Sequence, residues 1–161
     1  GGINPSAELR VTLDLFANIR PCRSRPGIPA VGKPMDLVIV RENTEGFYAD
    51  RNMAAGSGEF MPEPGIALAV RKITARGSRR IAQAAFDLAR ERRRKVTAVH
   101  KANVLKLSDG LFLATVREVA RSYPDVELEE VIVDAAAQLP PKRNLWQILI
   151  ASLPGSIVGQ T

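Results

Sequence analysis

Six residues stand at the ends of the segments that this sequence marks as helix or strand, and each carries a group able to do chemistry: Arg10, Arg20, Arg41, Tyr48, Lys101 and Asp134. A guanidinium grips a carboxylate through two parallel hydrogen bonds, so three converging arginines suit a di- or tricarboxylate; any one of them alone also reads as an ordinary surface arginine. Lys101 directly follows an apolar run and is flanked by His100 and Asn103, the setting of a proton-transfer lysine. Asp134 closes another apolar run. It can ligate a hard cation such as Mg2+, which takes one or two carboxylates beside substrate oxygens, or cap the turn that begins at Ala135. The residues by themselves reach an anionic-substrate site with a lysine and a carboxylate, and no further.

Periodicity and turn residues set the elements that would position these groups. A helix is expected from Ser6 with Leu9, Leu13 and Phe16 on one face, ending before an extended Ile19 to Cys22, where Pro21 forbids helix. After a loop rich in Pro and Gly, Leu37-Val38-Ile39-Val40 is an unalternating apolar run of the kind buried on both faces of a sheet. Gly46 to Phe60 reads as an exposed arm and Ile66 to Ile73 as a further strand. Thr74 is placed to cap a helix running to about Arg93, with Ile81, Ala85, Phe86 and Ala89 at helical spacing. The basic cluster Arg90 to Lys95 then offsets the negative end of that helix dipole. Val96 to Val99 is a strand, and Ser108 is placed to cap a second long helix carrying Leu111, Phe112, Thr115, Val116 and Val119, stopped by Pro124. Leu128 to Val133 is a strand ending in Asp134. The alternation indicates an α/β fold with a mixed sheet.

Composition narrows the classes. The 161 residues, 45% hydrophobic and 25% charged, have the balance of an ordinary globular domain. One cysteine, Cys22, and one histidine, His100, furnish neither an internal disulfide nor a structural zinc site. The formal charge of +6 favours anionic partners. Without a basic stripe interleaved with aromatics, nucleic acid is not the expected one. No apolar run approaches the roughly 20 residues of a membrane span. The opening Gly1-Gly2-Ile3 lacks Met and a leader-like apolar region, so part of a longer cytoplasmic protein is expected.

The stretches L-R-V-T-L-D-L-F-A-N-I-R-P (Leu9 to Pro21), D-L-V-I-V-R-E-N-T-E-G-F-Y (Asp36 to Tyr48), H-K-A-N-V-L-K-L-S-D-G-L-F (His100 to Phe112) and Y-P-D-V with V-D (Tyr123 to Val126, Val133-Asp134) closely resemble the isocitrate and isopropylmalate dehydrogenase family. That resemblance implies oxidative decarboxylation of a β-hydroxy acid. Hydride passes to NAD or NADP, and Mg2+ or Mn2+ serves as Lewis acid at the enolate oxygen. By the same resemblance Arg10, Arg20 and Arg41 bind the substrate's shared malate carboxylates, Tyr48 handles the proton of the decarboxylation and enol steps, and Lys101 takes the hydroxyl proton. Lys101, cofactor-binding Asn103 and metal-binding Asp134 are expected to reach into a partner's site in a homodimer, with the helices near 74 to 93 and 108 to 122 at its interface. Ser6 and Ala7 stand before Arg10 where isopropylmalate enzymes carry leucines. With Ser6 as a substrate contact, isocitrate or a related polar acid, homoisocitrate or tartrate included, is preferred to isopropylmalate.

The implied division is 1–15 as the end of a large-domain portion, 16–139 as the small dimerisation domain with its arm, and 140–161 as an altered tail. The tail Asn144 to Leu153 faintly resembles the family's N-L-F-G-D-I-L-S-D-L but lacks both of its aspartates. The chain is therefore expected to be an incomplete form with little or no activity alone, and a noncatalytic subunit that pairs with an intact relative is the alternative. Trp146, Ile148, Leu149, Ile150, Leu153, Ile157 and Val158 are expected to form an apolar stretch that the rest of the chain leaves uncovered, favouring self-association.

Overall fold

The computed structural model describes residues 5–28, 34–47, 53–137 and 148–151. Its centre is the apolar run around Val38. Strand β2 (Asp36–Glu42) follows edge strand β1 (Ala17–Arg23) and pairs with it antiparallel, Ala17 opposite Glu42 and Arg23 opposite Asp36. Pro21 sits in β1, tolerated there because an edge strand can spare an amide donor. An outlying hairpin of β3 (Glu59–Glu63) and β4 (Ile66–Ala69) comes next. Beyond it β5 (Lys95–His100) and β6 (Glu127–Ile132) pair in parallel, and β7 (Ile148–Ala151) enters between β2 and β5, parallel to both. The order in the described sheet is β1-β2-β7-β5-β6.

The sheet has two different faces. Val38, Val40, Val96 and Ala98 point into the main core, covered by α2 (Ala75–Arg90) and α3 (Ser108–Ala120). Helix α2 buries Ile81, Ala82, Ala85, Phe86 and Ala89, one stripe at helical spacing, with none of the five exposed. Helix α3 adds Phe112, Leu113, Val116 and Val119, and Arg79 on α2 bridges to Glu118 on α3 at 2.9 Å. The opposite face carries Leu37 and Val99 with Cys22, Ile39, Val133 and Ala136, the last two from the short helix α4 (Val133–Ala137). Helix α1 (Pro5–Thr12) precedes the sheet. The Asn43 NH donates to the Phe16 carbonyl at 2.8 Å, and the Asn43 side-chain amide donates to the Leu15 carbonyl, which fastens the chain after α1 to the end of β2.

Several expectations change. Only Ile66–Ala69 of the strand expected over Ile66 to Ile73 is extended, and it is the returning limb of the arm, exposed along its whole length. Gly65, at φ +88°, makes the turn. Ser108 is the first residue of α3 and not its cap; Leu107 precedes the helix without a side-chain cap, and the Ser108 hydroxyl accepts from Arg71 instead. Leu111 lies at the rim of its helix, 40% exposed. Val133 begins α4, with Asp134 its second residue, so β6 stops at Ile132, one residue short of the expected Val133. Helix α1 ends at Thr12, before Leu13 and Phe16, and Leu9 and Leu13 are open at 53% and 61% exposure. The largest change concerns the tail: Ile148–Ala151, expected to be left uncovered, is an inner strand whose backbone is paired on both sides. Trp146, Leu153, Ile157 and Val158 lie outside the described residues.

Candidate active site

Ligands of open α/β sheets gather beyond the carboxyl ends of parallel strands, and Arg41, Lys101 and Asp134 lie there. Arg41 is the penultimate residue of β2 and stands directly opposite Asn18 of β1; Arg20 lies two residues further along β1. Opposed residues of an antiparallel pair, and residues two apart on a strand, share a face, so Arg20 and Arg41 project from the same side. The Arg20 Nε donates to Asn18 Oδ1 at 2.7 Å, which orients the guanidinium along that face. It is the Ile39 side of β2, away from the long helices. Arg10 lies in the last turn of α1, with Ser6 one helical turn earlier on the same face of the helix. The Arg10 carbonyl accepts from Leu15 NH at 2.9 Å, and the Asn43 stitch just described holds that turn to β2.

Lys101 leaves β5 immediately after His100, and its ammonium is ion-paired with Asp134 Oδ2 at the start of α4. Register places Arg41, Ala151 and Val99 side by side, so Arg41 and the end of β5 are two strand spacings, about 10 Å, apart. Val99 and α4 belong to the same sheet face as Ile39. The structure thus sets the arginine pair and the lysine–aspartate pair at one end of one sheet, with β7 between them. Asn103 is exposed in the turn after Lys101. Tyr48 lies outside the described residues.

Residues not singled out from the sequence support these groups. Asp109, fully buried at the start of α3, accepts the Lys101 main-chain NH at 2.7 Å and pairs with Arg71 at 2.7 Å. Glu45 of the N-T-E-G run accepts from both the main-chain NH and the hydroxyl of Thr74, and Gly46 bridges to Lys72, so the neck of the arm is fixed to the start of α2. Arg80 joins Asp14, Thr44 and Glu42 and lies 4.4 Å over the Phe16 ring. An acidic residue opening a helix reads from sequence as a dipole partner, which is why Asp109 gave no sign of its second role. His100 Nδ1 accepts from the Ala102 amide at 3.1 Å. Around the sheet end Glu130 is held below the ordinary carboxylate range, first by its hydrogen bonds to Arg117.

Residues 2–152 match the family described as isocitrate/isopropylmalate dehydrogenase. The chain belongs to that family. It is 42% identical, over its whole length, to the protein named "Isocitrate dehydrogenase [NAD] regulatory subunit 1, mitochondrial" of Arabidopsis thaliana, of which it covers 43%. It is 50% identical over 154 positions to a 3-isopropylmalate dehydrogenase of Methanothermobacter thermautotrophicus, covering 94% of this chain and 44% of that one. The solved structure of isocitrate dehydrogenase from Methylococcus capsulatus superposes with a TM-score of 0.80 at 40% identity, over 94% of this chain and 45% of the other. The chain therefore spans less than half the length of these relatives. They include both dehydrogenases and a regulatory subunit, and the α/β fold with a mixed sheet is the family's.

The family's divalent metal can be tested against the residues present. Asp134 contributes one carboxylate, and one of its oxygens is already held by the Lys101 ammonium. Among the described residues no group of three or more His, Cys, Asp or Glu side chains comes together. Mg2+ needs more than this, so these residues do not by themselves fit a metal site. Asn103, a single exposed amide, likewise makes no cofactor cradle. Among the described residues no helix is long and apolar enough to cross a membrane.

Proposed function

We propose that this chain supplies the carboxylate clamp and the proton-transfer lysine of an NAD(P)-linked oxidative decarboxylase of a β-hydroxy acid, with sites shared between two subunits. The reading is carried by one observation: Arg20 and Arg41 share a sheet face at the end where Lys101 and Asp134 meet. Arg10, Arg20 and Arg41 hold the carboxylates of a β-substituted malate, and Ser6, on the Arg10 face of α1, meets the substituent. A polar hydroxyl at Ser6 favours a third carboxylate over an isopropyl group, so isocitrate or a close polar analogue is the preferred substrate. Lys101 takes the substrate's hydroxyl proton and Tyr48 handles the proton of the decarboxylation and enol steps, while a bound nicotinamide would supply the hydride acceptor. The dimer is formed through α2 and α3.

Because a single carboxylate does not make the metal site, these 161 residues alone have little or no turnover. A second reading is that the chain is a noncatalytic subunit partnered with an intact relative. It is favoured by the likeness, along the whole chain, to a protein named as a regulatory subunit.

Thermal unfolding with isocitrate, isopropylmalate and tartrate, run beside sedimentation, tests the clamp. A ligand at 100 times its Kd stabilises by about 2.7 kcal/mol, which Arg20→Ala with Arg41→Ala should abolish. A dimer stabilised by isocitrate supports the reading; stabilisation that survives loss of both arginines refutes it. Turnover by the chain alone, with NAD or NADP and Mg2+, would refute its dependence on a partner. Turnover restored by a variant relative lacking its own lysine would separate a catalytic half from a noncatalytic one.

A further inference from the structure

We propose that Asp109, locked by Arg71, is a positioning residue for Lys101 and ties that lysine to the base of the arm. The proposal rests on the reading of Lys101 as the proton-transfer group. Lys101 is the first residue beyond β5, a place where chain direction is ordinarily free to vary. Here both of its main-chain groups are taken: its NH donates to Asp109 Oδ2 at 2.7 Å, and its carbonyl accepts from Leu105 NH at 2.8 Å and Val104 NH at 3.0 Å. Asp109 NH in turn donates to the Leu105 carbonyl at 3.0 Å, closing a ring between the end of β5 and the start of α3. The lysine side chain therefore swings from a fixed stem toward Asp134.

The carboxylate that fixes the stem is fully buried, and its other oxygen meets Arg71, whose side chain is only 9% exposed. A buried carboxylate without such a partner would be strongly unfavourable, so Arg71 offsets the cost of burying Asp109 where it accepts from Lys101. Arg71 also donates to Ser108, which fixes its own direction. It follows β4 by two residues and adjoins Lys72, whose bridge to Gly46 closes the neck of the arm. A shift at the base of the arm thus reaches Lys101 through two short bonds, Arg71 to Asp109 and Asp109 to the Lys101 NH.

The test uses the full chain and two pairs of substitutions, since removing Asp109 alone would strand a buried arginine. Arg71→Met with Asp109→Leu removes the tether without leaving a charge behind, and Arg71→Gln with Asp109→Asn keeps an acceptor for the Lys101 NH. Amide exchange at Lys101 and the acylation rate of its side chain, measured by mass spectrometry relative to Lys95 and Lys106, are read without substrate. The apolar pair is expected to speed both at Lys101 about tenfold, the size of one lost charge-assisted bond, while the amide pair stays within about threefold of the parent. Unchanged rates at Lys101 in the folded apolar pair would overturn the proposal. So would a rise shared equally by Lys95 and Lys106, or an apolar pair that fails to fold while the amide pair folds, because Asp109 would then be structural only. An intact tether in a shared site without turnover would overturn the catalytic reading of Lys101 and leave the hold of Asp109 standing.

Discussion

Replacing Gly77 with alanine should destabilise this protein, although glycine inside a helix is ordinarily the worse residue. Gly77 is the third residue of α2, and its NH donates to the hydroxyl of Thr74, the N-cap, at 2.9 Å. In the usual capping box the third residue is Glu or Gln, whose side chain reaches back to the cap's own NH. Here that reciprocal bond comes from outside the helix, because the Glu45 carboxylate accepts the Thr74 NH at 2.9 Å and the Thr74 hydroxyl as well. Glycine makes room for it: a Cβ at Gly77 would lie 2.6 Å from the Glu45 carboxyl carbon.

The magnitude follows from two opposed effects. Alanine gains about 1 kcal/mol of helix propensity. Displacing Glu45 weakens two bonds to a charged acceptor, each worth about 1.5 to 3 kcal/mol before water replaces part of the loss. The net is a loss of about 1 to 2 kcal/mol, or roughly 3 to 6 °C in Tm for a chain of this size. In a Glu45→Ala background the clash is gone and the same Gly77→Ala substitution should stabilise by about 1 kcal/mol. Urea unfolding of the four proteins of this cycle measures both. A Gly77→Ala substitution that stabilises the parent, or has the same effect in both backgrounds, would refute the argument that Glu45 completes the cap.

Acid should remove stability through Asp36, whose carboxyl is held below its ordinary pKa by its hydrogen bond to Arg92 and then by that to Arg23. A depressed folded-state pKa gives stability that is present above the unfolded value, near 4, and lost as pH falls through the folded value. Urea midpoints between about pH 6 and pH 3 should therefore fall less steeply for Asp36→Asn than for the parent, and parallel curves would count against the pairing. Leu149→Pro removes a ladder donor from a strand paired on both sides, Leu149 standing between Ile39 and Thr97. The expected outcome is loss of the cooperative transition in circular dichroism; a near-native melt would mean that β7 does not hold the sheet together.

The parts of the fold legible in the sequence are those where one local signal decides. The run Leu37 to Val40 has no reading other than a strand buried on both faces, and Thr74 with Ile81, Ala85 and Phe86 admits only a capped amphipathic helix; both stand as expected. The place of Arg41 was legible for a similar reason, since it follows the apolar run of β2 near the end of that strand, whereas Arg20 falls at the middle of β1. What was not legible depends on partners distant in the chain. Asp109 matches the local preference for an acidic residue in a first helical turn, so nothing in its neighbourhood announces Arg71 or the Lys101 amide.

The tail shows the same limit from the other side. Ile148 to Ile150 is too short an apolar run to commit to any element, and following Pro140 and Pro141 it reads as surplus. Yet β2 and β5 each present a row of main-chain donors and acceptors that must be matched, and β2 was recognisable from its apolar run as a strand buried on both faces. Two inner strands that do not pair with each other require a third between them. Four residues with apolar character and no proline satisfy it, in the register that sets Ala151 level with both Arg41 and Val99. The strand that separates the arginine pair from Lys101 and Asp134 is thus specified by the unmet hydrogen bonds of its neighbours more than by its own sequence. Substitutions that keep its backbone extended should accordingly leave the spacing of the two halves of the site unchanged.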